Sequence, residues 1–286
     1  MFRWYGLVGM TMIFLTYIIN ILGILPPHTS TTAIFVTGYL LFFDAIDYNI
    51  NKTSILHKAA KKHSIIFWML LAGILTGYVM EFFGRSVAGL WTIESAPNYI
   101  EIFPSILFGY GLPIMMYYSC YRVFLSSIGK KTGQFGVKIA GKRMERWLMK
   151  DAGFAGATLI VIPVLLMPAI EYFDPISKGF VFAFTLLGMW FLLEYVEYKR
   201  HERTLLMDIL EGKWLQPTAI AISAVVTGLV WEAANLLKPS WTYMNLPLME
   251  LQMAGVPLAV LVGWIPLYII YLSFYRVIIK GRDKLW

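Results

Sequence analysis

The chain has 286 residues, of which 58% are apolar, 16% aromatic and 14% charged, with a net charge of +7 and a mean hydropathy of +0.65. Soluble domains carry about 25% charged residues, so a soluble globular protein, a disordered chain, a coiled coil and a disulfide scaffold are excluded, and a polytopic helical membrane protein remains. The single cysteine, Cys120, has no internal disulfide partner, and His28, His57, His63 and His201 all fall in predicted loops, which leaves no axial pair for a haem.

Eight stretches approach the ~20 apolar residues that span a bilayer core. The first, 7–25, stops at Pro26-Pro27; it is too long for a cleaved signal peptide and lacks a small-residue cleavage site. The second, 32–48, carries Asp44 and Asp47, and the third, 65–84, carries Thr76-Gly77 and Glu81, with Arg85 just beyond. Trp91-x-Ile93 precedes the fourth, 104–125, which contains Cys120 and Arg122. A basic stretch, 130–150, leads to the fifth, 152–170, where Gly153 and Gly156 predict close helix packing. The sixth, 179–198, ends in Glu194 and Glu197, and the seventh, 217–236, holds Thr227-Gly228, Glu232 and Asn235. After Lys238-Pro239 and Trp241-x-Tyr243 comes the eighth, 256–278, with Arg276 at its end. Pro113, Pro163, Pro168 and Pro266 lie inside these spans and predict kinks near a cavity.

Basic residues orient the spans. Placing both termini, the loops 49–64, 126–151 and 199–216 and the helix ends next to them on one side puts 21 of the 24 Lys and Arg there and only Arg85, Lys178 and Lys238 on the other. This asymmetry predicts cytoplasmic termini. The positive charge is therefore a topology signal, and no nucleic-acid-binding patch is expected.

Segments recur. GYLLFFDAIDY (38–48) matches GMWFLLEYVEY (188–198) in its Gly, both acids and final Tyr; TGYVMEFFGRSVAGLW (76–91) matches TGLVWEAANLLKPSW (227–241) with one gap; and YYSCYRV (117–123) matches YLSFYRV (271–277). The three matches follow in the same order, which predicts two parallel four-helix repeats, 1–145 and 150–286, within one membrane domain.

Ionisable residues within spans cost about 2.5–3.5 kcal/mol each near mid-helix, so each needs a reason. Asp44 and Asp47, matched by Glu194 and Glu197, have i, i+3 spacing that puts each pair on one helix face. With Arg122 and Arg276 ending spans at the same side, they are either structural ion pairs, a proton relay or a divalent-metal cluster. Glu81 and Glu232 sit at the other side. Glu81 has Arg85 at i+4, whereas Glu232 has Asn235 one turn on and only Lys238 as a nearby cation. Desolvation favours the neutral form of a carboxyl group, and a proton held at neutral pH is one that a general acid can deliver. Glu232 is the stronger candidate acid and Glu81 the second. Trp91, Trp241 and Tyr243 form either an interfacial aromatic belt or the wall of a pocket for a greasy substrate, where aromatic faces also stabilise a developing cation. With Asn235 and Arg85 they make up the candidate substrate-binding set.

No Walker loop, dinucleotide glycine loop, HExxH or Gly-x-Ser-x-Gly motif is present, and no cofactor or metal is expected. The run EAANLLKPSWTYMNLPLMELQMAGVPLAVLVGW (232–264) resembles the membrane carotenoid hydratases of the bacterioruberin type. It is more loosely similar to the small membrane lycopene cyclases. The resemblance implies Glu232 as an acid that protonates a polyene double bond and Trp241 and Tyr243 as pocket aromatics. In the first half Ile93 stands in the place of that Tyr.

The expected function is an integral-membrane enzyme, a hydratase (lyase) or a cyclase (isomerase), acting on an isoprenoid, carotenoid or other lipid. The alternatives are a proton-coupled transporter or flippase using Asp44, Glu194, Glu81 and Glu232, and a non-catalytic membrane subunit. Oligomeric state is not set by these residues.

Overall fold

The computed structural model describes residues 3–24, 29–93, 106–237 and 239–279; Pro26, Pro27, His28, Lys238, Lys280, Arg282 and Lys284 lie outside the described residues. In chain order come α1 (Trp4–Leu22), α2 (Thr29–Asn51), the short α3 (Ile55–Lys61) and α4 (Ser64–Met80), which continues as a π-helical turn (Glu81–Val87) into strand β1 (Trp91–Thr92). A second π turn (Leu107–Gly111) leads into α5 (Pro113–Thr132). The chain continues through α6 (Lys142–Leu166), a 3₁₀ segment (Met167–Tyr172), α7 (Pro175–Lys199), the short α8 (Leu205–Leu210) and α9 (Leu215–Leu237). Strands β2 (Thr242–Tyr243), β3 (Gln252–Met253) and β4 (Val256–Pro257) precede α10 (Leu258–Ile279).

Among the described residues seven helical stretches are long and apolar enough to cross a membrane: α1, α2, α4 with its π turn, α6 with its 3₁₀ segment, α7, α9 and α10. The protein is thus an all-α membrane protein by the length and composition of its helices. The expected fourth span, 104–125, is occupied by the second π turn and α5, while residues 104 and 105 lie outside the described residues. Helix α5 is not among the seven. It packs against α2, α4, α9 and α10 and carries Arg122, Lys130 and Lys131. A helix enclosed by protein has no need of an apolar surface on every side.

The hydrophobic order is that of a protein dissolved in lipid. Trp4, Leu7, Phe14, Ile18, Ile21 and Leu22 of α1 and Phe154, Val161 and Leu165 of α6 are exposed. The interior holds the tyrosines Tyr117, Tyr118 and Tyr121 of α5 and Tyr268, Tyr271 and Tyr275 of α10, all essentially without solvent contact. Their rings interleave at 4.8–4.9 Å between centroids, Tyr117 against Tyr268 and Tyr271, and Tyr118 against Tyr275.

Glycines set the helix crossings. Gly9 of α1 and Gly38 of α2 meet backbone to backbone; a Cβ on Gly38 would come 2.8 Å from the Gly9 carbonyl. Gly156 of α6 and Gly188 of α7 make the same reciprocal approach, at 2.8 Å in both directions, and Gly153 takes the ring of Tyr195. The in-span prolines behave individually. Pro113 opens α5 where the missing N–H costs nothing, Pro168 lies in the 3₁₀ segment, and Pro163 and Pro266 lie within helices, with Pro266 alone of the four on a cavity wall.

Candidate active site

The acidic residues fall at two opposite ends of the helices. At the end that carries most of the basic loops, each of the four acids expected there has a partner. Asp44 accepts hydrogen bonds from Tyr5 Oη (2.9 Å), Ser54 Oγ (2.8 Å) and the Leu56 N–H (2.9 Å). Ser54 in turn caps α3. Glu194 accepts from the Leu206 N–H at 3.0 Å and the Trp190 indole at 2.7 Å, and Thr204 caps α8. Asp47 pairs with Arg122 at 2.9 Å and Glu197 with Arg276 at 3.4 Å. The two arginines also reach back to matched carbonyls, Arg122 to Thr53 and Arg276 to Arg203. These four acids and two arginines hold the short helices α3 and α8 onto the helix ends. Among the described residues no three His, Cys, Asp or Glu converge as a metal-ligand group.

Outside the spans, Arg203 reaches Asp208 and Glu211, and Lys213 adds a contact to Glu211 at 2.8 Å. These cations hold the Glu211 carboxyl down at about 2. Burial pushes the Asp208 carboxyl up from its ordinary value, against the pull of Arg203.

At the opposite end the two Trp-Thr segments, expected as loops, pair with each other. β1 and β2 run antiparallel, with Trp91 opposite Tyr243 and Thr92 opposite Thr242. Gly89, at φ +59°, makes the turn into β1 in a left-handed conformation that favours glycine. Asn245 anchors the crossing by donating to the Gly89 carbonyl at 2.8 Å.

Beneath this two-stranded roof lies a cavity of about 510 Å³. Its walls come from the ends of α4 and α9, the second π turn, α5, the outer half of α7 and the first turns of α10. They are apolar and aromatic, with Phe108, Tyr117, Phe182, Trp231 and Trp264 prominent. Among the described residues, Glu81 and Glu232 are the carboxyls that line it. Both are buried, at 1% and 3% exposure. Of the expected site residues, Glu81, Glu232, Trp91, Trp241 and Tyr243 all line the cavity. Arg85 and Asn235 do not.

The surroundings of the two carboxyls differ. Glu81 starts the π turn and meets Arg85 at 3.1 Å; Tyr110 donates to it at 2.8 Å and the Trp91 indole at 3.4 Å. Glu232 lies in regular α-helix and accepts from Tyr243 Oη at 2.9 Å, and the Trp264 and Trp241 indoles stand near it as weaker donors. Among the described residues its partners are neutral donors. Burial and the nearby Glu232 carboxyl hold the Tyr243 phenol well above its ordinary range, so Tyr243 stays a hydrogen-bond donor at any physiological pH.

Asn235 holds the loop instead of facing the cavity. Its carbonyl oxygen accepts from the N–H groups of Ser240 (2.8 Å) and Trp241 (3.3 Å), and its amide donates to the Trp241 carbonyl at 3.1 Å. Asn235 thereby fixes where the Trp241 ring stands. Sequence reasoning passed over Tyr110 and Trp264 as donors to the carboxyls. The signal was present: extending the match of Tyr117 with Tyr271 backwards sets Tyr110 against Trp264. Comparisons with protein-family models, with curated proteins and with solved structures give no match.

Proposed function

We propose that the protein is an integral-membrane enzyme that protonates a carbon–carbon double bond of an isoprenoid, carotenoid or similar polyene lipid, leading to hydration, cyclisation or isomerisation. One observation carries this reading: a buried carboxyl, Glu232, met only by neutral donors among the described residues, opens on an apolar, aromatic-walled cavity of about 510 Å³. Tyr243 and the two indoles fix the carboxyl in one orientation, and proton transfer to a weakly basic alkene gains from such positioning. The faces of Trp231, Trp241 and Trp264 stabilise the cation that forms. Glu81, compensated by Arg85, is left as a structural counterpart. Proton-coupled transport has less to work with, because Asp44 and Glu194 bond to backbone N–H groups and Asp47 and Glu197 to arginines.

The same reading includes eight spans with both termini cytoplasmic, and two parallel four-helix repeats over 1–145 and 150–286 related by an axis along the membrane normal. Several matched contacts favour the repeat. Asp44–Leu56 and Glu194–Leu206 share one separation of 12 residues, and the backbone acceptors of Arg122 and Arg276, Thr53 and Arg203, occupy matched places before α3 and α8. Thr92 pairs with Thr242, its own counterpart in the other half, as an axis through β1 and β2 requires.

The test is expression in a lycopene-producing host, with mass spectrometry of pigments and neutral lipids beside a Glu232→Gln control. The expected result is a product heavier by one water, or an isomer of equal mass, that falls by about 10²–10⁴-fold with Glu232→Gln and persists with Glu81→Gln. An unchanged profile from folded, inserted protein removes lycopene-type substrates.

A further inference from the structure

Beside the main cavity lies a second, polar one. It measures about 30 Å³, room for about one water molecule. It sits between α1, α2 and α9 and is lined by Thr16, Asn20, Thr31, Asn235 and Ser240. Asn20 is 8% exposed and its side-chain amide makes one long contact, 3.5 Å, to the Ala234 carbonyl. Its carbonyl oxygen is buried and accepts nothing among the described residues. A buried acceptor of this kind is stabilised by a donor from a bound water. Trp231 and Trp241, stacked at 6.1 Å and 30°, line both cavities and stand between them, with Thr32 and Ser240 also shared.

The corresponding place beside Glu81 is apolar and filled by side chains. With α1 and α6 aligned on the equivalent crossing glycines Gly9 and Gly156 and the other segments as matched above, the positions of Asn20, Thr31, Asn235 and Ser240 hold Met167, Val181, Gly84 and Leu90. Val181 there packs with Phe83, Val87, Ile170 and Met167 in an apolar cluster, and the ring of Trp91 fills the space over Gly84. Among the described residues, the Glu232 side alone combines a carboxyl met by neutral donors with a polar chamber.

We infer that this chamber is a water site, with Asn20 as its positioning residue, and that its water reacts at the Glu232 side of the main cavity, so that the reaction is hydration. The inference rests on the acid reaction proposed above. The carboxyl proton of Glu232 adds to one alkene carbon as a new C–H bond made from the π pair, leaving a cation on the other carbon. The water oxygen forms the C–O bond, and the proton it sheds returns to the Glu232 carboxylate. The acid is restored and the substrate gains one water.

Two measurements test it. A high-resolution density map of the wild-type protein in lipid nanodiscs is expected to show a water within about 3.2 Å of Asn20 Oδ1; an empty chamber overturns the water site whatever the enzyme does. In the lycopene-producing host, Asn20→Leu is expected to lower the ratio of hydrated product to equal-mass isomer by at least tenfold, because the cation then loses a proton instead of gaining water. Asn20→Ser, which keeps an acceptor, should retain the hydrate. A hydrate yield unchanged in Asn20→Leu, or a wild type that makes only the isomer, overturns the reactive water while leaving Glu232 as acid. If the wild type leaves lycopene untouched, the acid reading fails for that substrate, and the density alone decides the water site.

Discussion

The Tyr243 hydroxyl carries the most direct test of how Glu232 is held. Its bond to Glu232 is 2.9 Å long in a buried setting, and a hydrogen bond to such a group contributes about 1–3 kcal/mol. Tyr243→Phe removes the donor and keeps the ring, so product formation in the same host should fall by about 10-fold or more, with the melting temperature lowered by only a few degrees. A similar loss from Trp91→Phe, which touches Glu81 instead, would argue against the Glu232 side as the reacting one. Gly84 makes a complementary point. A Cβ there would stand 1.8 Å from the ring of Trp91, so Gly84→Ala must displace that indole and should destabilise the protein while leaving the groups around Glu232 in place.

Among the elements, the α1–α2 and α6–α7 pairs depend on glycine at their crossings. Gly38→Leu or Gly188→Leu forces the helices apart against backbone atoms at 2.8 Å, an overpacking cost of about 1–3 kcal/mol or more, measurable as a lower melting temperature in detergent. The short helices α3 and α8 depend on the buried acids beneath them. Asp44→Ala would strand the Leu56 N–H and the Tyr5 and Ser54 hydroxyls, at about 1–3 kcal/mol for a buried unpaired group, and loosen α3. The Glu211 contact near α8 has a pH signature. Its carboxyl is held at about 2 in the folded protein, below its ordinary 4.5. The stabilisation is therefore present above about pH 4.5 and lost as pH falls toward 2. Glu211→Gln should lower the melting temperature at neutral pH by a small amount, since the cluster is partly open to solvent, and make much less difference at pH 2, where the carboxyl is about half protonated.

For the whole molecule, the basic and the Trp-Thr ends face opposite sides of the membrane in the proposed topology. In a Cys120→Ser background, Lys138→Cys should be labelled by a membrane-impermeant maleimide only after cells are opened, and Leu248→Cys in intact cells. Labelling of both from outside would overturn the proposed orientation. The two positions suit the test because Lys138 and Leu248 lie in exposed loops.

Much of this was written along the chain. Helix length, the apolar surface and the skewed basic loops follow from composition, because lipid demands ~20 apolar residues and satisfied backbone in every span. The matched Asp44 and Glu194, and the matched Glu81 and Glu232, are visible as spacing alone, and Glu81, Glu232, Trp91, Trp241 and Tyr243 could be named as one site from that spacing. What spacing does not convey is contact between segments some 150 residues apart. The pairing of Trp91 with Tyr243, the donors Tyr110 and Trp264 and the inward turn of Asn20 toward α9 all depend on how distant helices cross. The role of Asn235 changed for the same reason: one turn from Glu232 in sequence, it bonds to the loop that carries Trp241. The enclosed helix α5 shows the limit of hydropathy, which reports the solvent that a surface meets, and protein had already taken the place of lipid on its faces. The sequence by itself determined that the chain forms apolar helices with acids at two depths. Tertiary packing decided that two of those acids share a cavity and that, among the described residues, Glu232 meets neutral donors where Glu81 meets Arg85, because desolvation and pairing are properties of the surroundings and not of the residue.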